Sequence, residues 1–284
     1  MSFRTVVISN KANLNYKNRF LVVKQENDEK YIHLSEIDTI IVNSISVSIS
    51  SYLLKEISDN KINIIFCDEK HNPFGELKSL YLSHNSSKKI ENQTKWTYKF
   101  KDELWSLIIK NKILNQALLF YSLSIDSYEI IMEYIEEIKI GDKTNREGHA
   151  AKVFFISLFG KNFVRHNSDN INFALNYGYA ILLSNFNKEI ISLGYLTQLG
   201  LHHKNEYNEF NLSCDLMEPF RILIDSYVYD NLDKEFNKEY KISLINIMND
   251  KYKYNGRYYS VKDIIKLYVK NTLEGKYIDF KYEK

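Results

Sequence analysis

Residues 83–121 hold the change that decides the fold: Ser83 to Thr94 reads SHNSSKKIENQT, and Phe100 to Tyr121 reads FKDELWSLIIKNKILNQALLFY. The first stretch is polar and without period, which predicts a linker over 83–96. In the second, Leu104, Leu107, Ile108, Ile113, Leu114, Ala117 and Leu118 recur at helical intervals. The same spacing continues in Tyr128 to Ile138, Ala150 to Phe159, Ile171 to Ser184, Leu223 to Asp230 and Val261 to Leu273. Residues 97–284 therefore read as an all-α domain, with no long-period repeat.

Upstream of the break the pattern is β. Phe3 to Ile8, Arg19 to Lys24, Ile37 to Val42 and Ile62 to Cys67 are short β-branched or aromatic runs bounded by polar clusters. Ile45 to Ser50 alternates as a strand does, and Leu53, Leu54 and Ile57 then take helical spacing behind a Ser50 or Ser51 cap. Asn72 to Gly75 reads as a turn and Glu76 to Leu82 as a closing strand. Asp38, Asp68, Glu69 and His71 read as turn and edge residues. The expected class is α+β: a β-rich domain over 1–82, then the helical domain.

Bulk composition narrows the classes. With 44% hydrophobic and 26% charged residues in 284, the chain is globular rather than disordered or fibrous. Two distant cysteines, Cys67 and Cys214, make neither a disulfide framework nor a metal pair, which points to a reducing compartment. No apolar run has the length of a membrane span, so a soluble, cytoplasmic protein is expected. Net charge is +2, so a nucleic-acid partner would have to be met by a local basic patch.

Chemistry concentrates in Leu199 to Asp225, LGLHHKNEYNEFNLSCDLMEPFRILID. Asp215 and Glu218 fall on one helical face, joined by Arg221 or Ile222, and His202 and His203 precede them. An imidazole with carboxylates can hold Mg²⁺ or Mn²⁺, the imidazole tilting the choice to Mn²⁺. Asp215-x-x-Glu218 is equally a capping box ahead of Pro219, and paired histidines in a polar loop are often only solvated. Elsewhere, Glu147 opens a helix amid Lys143, Arg146, His149 and Lys152, where it also complements the helix dipole.

Several segments in order carry a resemblance: Phe66-Cys67-Asp68 with His71-Asn72-Pro73, Trp105 with Lys112 to Gln116, and Arg146 to Lys152. Asn172 to Ala180, Gly200-x-x-His203 and Asp215-Leu-Met-Glu218-Pro-Phe-Arg221 complete the set. Together they resemble the CRISPR-associated integrase family, the larger subunit of the spacer-acquisition machinery, and most closely its type II form. The resemblance implies an N-terminal β-sandwich serving dimerisation and partner contact, then a helical catalytic domain. It implies metal ligands at Glu147, His203 and Glu218, with Asp215 and His202 as their neighbours.

The implied reaction is metal-dependent attack of a DNA 3′-hydroxyl on repeat-end phosphodiesters, or nuclease action when water replaces that hydroxyl. The implied partners are double-stranded DNA, a second copy of the chain and a dimer of the smaller acquisition protein, with the effector nuclease a further candidate. Arg146, Lys152, Arg165 and Arg221 are candidate phosphate contacts. Two rival readings stand beside this one: a non-catalytic DNA-binding scaffold and a metal hydrolase of small molecules.

Overall fold

The computed structural model describes residues 4–26, 28–77 and 85–283. The chain divides into two compact units, Met1–Leu82 and Ser83–Lys284.

The first unit contains β1 (Arg4–Ile8), β2 (Ala12–Lys17), β3 (Phe20–Gln25), β4 (Asp28–His33), β5 (Ile37–Val42) and β6 (Val47–Ile49). Helix α1 (Ser51–Asp59), β7 (Asn63–Cys67) and β8 (Pro73–Glu76) follow. One sheet has the order β1-β5-β7-β8, the other β4-β3-β2-β6. Strands β1, β5 and β7 run parallel with β8 reversed, whereas β4, β3 and β2 form an antiparallel meander with β6 parallel to β2. Ile8, Ile40 and Ile64 of the first sheet share one core with Leu14, Leu21 and Val23 of the second and with Leu53 and Ile57 of α1. The unit is thus a β-sandwich, as the resemblance implies. Ser50 caps α1, its hydroxyl accepting from Leu53 N at 3.3 Å.

Two strands escape the sequence pattern because they are polar. In β2 only Ala12 and Leu14 are fully buried, and β4 is an edge strand with four exposed residues. Cross-strand pairing to β3, not local propensity, makes them strands. The turn expected at Asn72–Gly75 falls instead at Asp68–Asn72, and Pro73 to Gly75 belong to β8. Asp68 Oδ1 accepts from Lys70 N and Asn72 N, and His71 takes a left-handed φ of 64°. Pro73 then opens β8, at the first position of an edge strand, where a missing N–H costs no ladder bond. The expected strand through Leu82 lies mostly outside the described residues.

The second unit corrects the linker. Ser86–Thr94 is a helix, α2. Its one buried residue, Gln93, donates to Leu196 O and Leu199 O and accepts from Leu196 N, while Lys89 Nζ donates to Leu193 O. Hydrogen bonds to a distant loop hold it, so no apolar period marks it.

Helices α3 (Tyr98–Ser122), α4 (Tyr128–Glu136), α5 (Arg146–Phe159), α6 (Asn170–Ser192), α7 (Asn211–Met217), α8 (Arg221–Tyr229) and α9 (Lys238–Asn246) follow. The unit ends with β9 (Lys251–Tyr254), β10 (Arg257–Ser260) and α10 (Val261–Leu273). The β9–β10 hairpin qualifies the all-α expectation. Its Asn255-Gly256 turn has φ of 47° and 79°, the positive pair a tight two-residue hairpin requires. Helix α3 is central and buries Asn111, Lys112, Asn115 and Gln116 among Ile108, Ile109, Ile113 and Ala117. Polar groups buried this deeply require partners, and they point to the site.

Candidate active site

Four segments of the helical unit build the site. Helix α3 contributes Lys112, the start of α5 contributes Glu147, and the loop before α7 contributes His203. A short 3-10 turn, Glu218–Phe220, joins α7 to α8 and contributes Glu218. Pro219 has no N–H to continue an α-helical ladder, and the backbone passes here through one 3-10 turn between α7 and α8.

Each acid is placed by its local backbone. Asp142 accepts from Arg146 N at 2.8 Å and Glu147 N at 2.9 Å, which satisfies two orphan donors of α5 and fixes its first turn. Asp215 is no capping box. It sits fully buried in α7 and accepts from the 201–203 backbone: Leu201 N at 2.6 Å, His202 N at 3.1 Å and His203 N at 3.2 Å. It also takes the His203 Nδ1 proton at 2.6 Å. That bond holds Nε2 as the ring's available nitrogen. Trp105 packs edge-on against His203 and stacks on exposed His202 with centroids 4.4 Å apart. Among the described residues the His202 ring has no hydrogen bond or ion pair to a carboxylate, only its backbone N–H does, whereas the His203 ring meets Asp215.

Glu147 and Glu218 converge on one cation. The Lys112 ammonium is paired with Glu147 Oε1 and lies 2.7 Å from Glu218 Oε2, with the Lys112 side chain only 10% exposed. Arg221 Nε donates to Glu218 Oε1 at 2.9 Å. Burial pushes the Glu218 carboxyl up, but Arg221 and Lys112 outweigh it and hold it down to about 2. The hydrogen bond to Asp215 raises the His203 imidazole above its ordinary value; burial opposes this, and the charges of Asp215 and Glu218 reinforce it.

In the sequence Lys112 stands within a motif and no role is assigned to it there. Its signal was a lysine in the apolar period of a long helix, and a buried amine of that kind needs a buried acid.

Among the described residues, no three His, Cys, Asp or Glu side chains gather closely enough to hold an ion. The donor types nonetheless suit a hard divalent cation. Glu218 Oε2 is buried and has no aligned hydrogen bond, only the ion pair to Lys112, and it faces Glu147 across that positive charge. The place between the carboxylates is one for a cation.

Of the four candidate phosphate contacts, Arg165 and Arg221 meet at the Tyr179 ring, 5.3 and 4.5 Å from its centroid. Arg146 Nε pairs with Glu137 at 2.9 Å and its guanidinium lies over Tyr134. Arg165 donates to Asn172 and Asn176. Arg221 faces inward to Glu218, and only Lys152 stands exposed without such a tie.

Comparison with known proteins gives the family of the chain. The chain is 32% identical over 226 residues to the CRISPR-associated endonuclease Cas1 of Neisseria meningitidis serogroup C, covering 79% of this chain and 74% of that one. It is 29% identical to an endonuclease Cas1 of Francisella tularensis subsp. novicida, over 86% of each. A Cas1 protein from Thermotoga maritima shares the fold with a TM-score of 0.78 at 16% identity, over 99% of this chain and 100% of that one. A casposase bound to integration product does so at 0.78 and 18%, over 100% and 95%. Residues 5–242 match the family described as CRISPR associated protein Cas1, and the chain belongs to that family.

Proposed function

We propose that this chain is a metal-dependent DNA integrase and endonuclease that inserts new spacers into a CRISPR array, in a system of type II form. The observation that carries the reading is the convergence of Glu147 and Glu218 on one buried cation, in a Cas1-family chain whose His203 ring is fixed by Asp215. Relatives named as endonucleases and a casposase neighbour of the same fold support it.

In the proposed reaction the 3′-hydroxyl oxygen of a captured DNA fragment attacks the phosphorus of a repeat-end phosphodiester. One P–O bond forms and one breaks, and the repeat strand leaves with a new 3′-hydroxyl; no nucleotide cofactor is consumed. A Mg²⁺ or Mn²⁺ ion held by Glu147, His203 and Glu218 would supply Lewis-acid polarisation of the scissile phosphate. Asp215 keeps His203 in the tautomer that offers Nε2, and Trp105 limits rotation of that ring. Arg221 holds Glu218 ionised and in place. Lys152 is the best placed of the four candidates to meet the DNA backbone, being exposed.

The proposed assembly is a homodimer, formed through the β-sandwich unit, joined to a dimer of the smaller acquisition protein. A solved Cas6-RT-Cas1–Cas2 complex shares the fold, with a TM-score of 0.74 at 18% identity over 99% of this chain and 36% of that one. Among the described residues no helix is long and apolar enough to cross a membrane, and a cytoplasmic site of action is part of the proposal.

The test is strand transfer of a labelled duplex with free 3′-hydroxyls into repeat-bearing DNA, with the small partner and divalent metal present. Product is expected only with metal and the 3′-hydroxyl, and Glu218→Ala should abolish it. DNA binding without transfer, indifferent to Glu218→Ala, would replace this reading with the scaffold. No DNA binding at all would sink both.

A further inference from the structure

A buried lysine wedged between two acids has a cost that needs a reason. Lys112 is 8% exposed and lies on α3 among Ile108, Ile109 and Ile113. Removing an ammonium from water is expensive, and burial alone would lower its pKa; the charges of Glu218 and Glu147 outweigh that and raise it. Without it, two carboxylates from α5 and the Glu218–Phe220 turn would face each other at close range and repel. Arg221 does not relieve this, because its Nε meets only Glu218 Oε1 and its guanidinium is stacked 4.5 Å over the Tyr179 ring.

The two cations differ in kind. Arg221 is locked by a directed bond and a stack, whereas Lys112 is a point charge on a flexible four-carbon stem. Its contact with Glu218 Oε2 is an ion pair at 2.7 Å without hydrogen-bond alignment. Such a contact holds by charge rather than by direction, so another cation can occupy the same place. The Glu147 side chain is 32% exposed, so the space is open to solvent on that side, and an amine leaving the carboxylates has water to move to.

We propose that Lys112 is a resident counter-cation: it holds the Glu147 and Glu218 carboxylates together in the metal-free protein and gives way to the divalent ion. Lys112 is then a positioning residue that sets how tightly the site binds metal. This inference rests on the metal-dependent reading above. It makes the metal-free site stable and pre-assembled, and it weakens the ion's affinity by the competition.

Calorimetric titration with Mn²⁺, without DNA, tests this on the unaltered chain, Lys112→Gln and Lys112→Arg, alongside thermal unfolding with and without the ion. Lys112→Gln should lower the metal-free melting temperature yet bind Mn²⁺ about tenfold more tightly, because the competing charge is gone. Its melting temperature should rise more on Mn²⁺ addition than that of the unaltered chain. Lys112→Arg keeps a cation between the acids and should return both quantities towards the unaltered values. Equal or weaker Mn²⁺ binding by Lys112→Gln overturns the proposal and leaves the metal-dependent reading intact. An unaltered chain that binds no Mn²⁺ overturns both. Should Lys112→Gln not fold, lysine-selective NMR of the unaltered chain under Mg²⁺ titration decides: a saturable shift of the Lys112 ammonium signal supports displacement, and an unmoved signal at saturation ends it.

Discussion

At the scale of single residues, Asp215 does more than its place in the motif suggests. One buried carboxylate accepts three backbone N–H groups and the His203 ring proton. Asp215→Asn would turn one acceptor into a donor facing other donors, which costs about 1–3 kcal/mol for the group left unpaired. Thermal unfolding should show a drop of several degrees, and strand transfer should fall at least about tenfold as His203 loses its orientation. An unchanged melting temperature would mean that the loop is held by other bonds. Gly200 belongs to the same arrangement: a Cβ there would stand 2.5 Å from His203 O and 2.8 Å from Asp215 Oδ2. Neither the backbone oxygen nor the buried acid can yield, so Gly200→Ala should reduce transfer together with stability. The Gly200-x-x-His203 pattern was legible in the sequence, but the reason for its glycine was not, because the folded loop brings His203 O back over Gly200 and α7 brings the Asp215 carboxylate beside it.

Asp225 contributes a pH dependence of its own. It is buried, and burial raises its carboxyl to about 7 against the favourable hydrogen bond from Tyr179 and the charges of Arg221, Lys112 and Arg165. Between the unfolded value near 4 and about 7 the folded state holds a proton that the unfolded chain has released, so stability falls as pH rises through that window. Asp225→Asn should flatten this slope, by an amount on the order of a few kcal/mol across the window. Chemical denaturation at pH 5 and pH 8 measures it; equal slopes in the two proteins would show that Asp225 does not titrate there.

At the scale of elements, the close approach of α6 and α8 depends on Gly178, where a Cβ would lie 2.4 Å from Ile224 Cγ2. Gly178→Ala should destabilise by about 1–3 kcal/mol through overpacking, and Ile224→Ala in the same chain should recover part of that loss. Simple additivity of the two costs in a denaturation cycle would refute the contact. The sequence shows small residues at Ala174, Gly178 and Ala180, a spacing that suggests tight helix packing, but it does not show their partner.

Helix α3 similarly hid its purpose. Asn111 exchanges bonds with Phe280 N and O, and Asn115 donates to Pro219 O and Phe280 O while accepting from Tyr282 N. Phe280 stacks on Phe220 at 4.3 Å, so the segment at 280–282 buttresses the turn that carries Glu218. Helical period alone shows that 111 and 115 share a face; it does not reveal the irregular segment at 280–282 lying against it.

At the scale of the whole molecule, a net charge of +2 gives no general attraction to DNA. Binding must come from local cations, and those at Arg146, Arg165 and Arg221 already have partners. DNA affinity should fall linearly on a log-log plot as salt rises, and Lys152→Ala should reduce the slope by about one phosphate's worth. A slope unchanged by Lys152→Ala would remove that residue from the interface.

The sequence by itself determined what repeats locally. Helical period marked α3, α5, α6, α8 and α10, β-branched runs marked four strands of the sandwich, and an ordered set of motifs named the family and its candidate ligands. Tertiary structure alone decided what depends on distant partners. It made a helix of polar Ser86–Thr94, strands of β2 and β4, a loop anchor of Asp215, and a shared counter-ion of Lys112. The division has a physical cause. Backbone periodicity is written in neighbours three or four residues apart, whereas a buried charge takes whichever partner the packed helices bring to it.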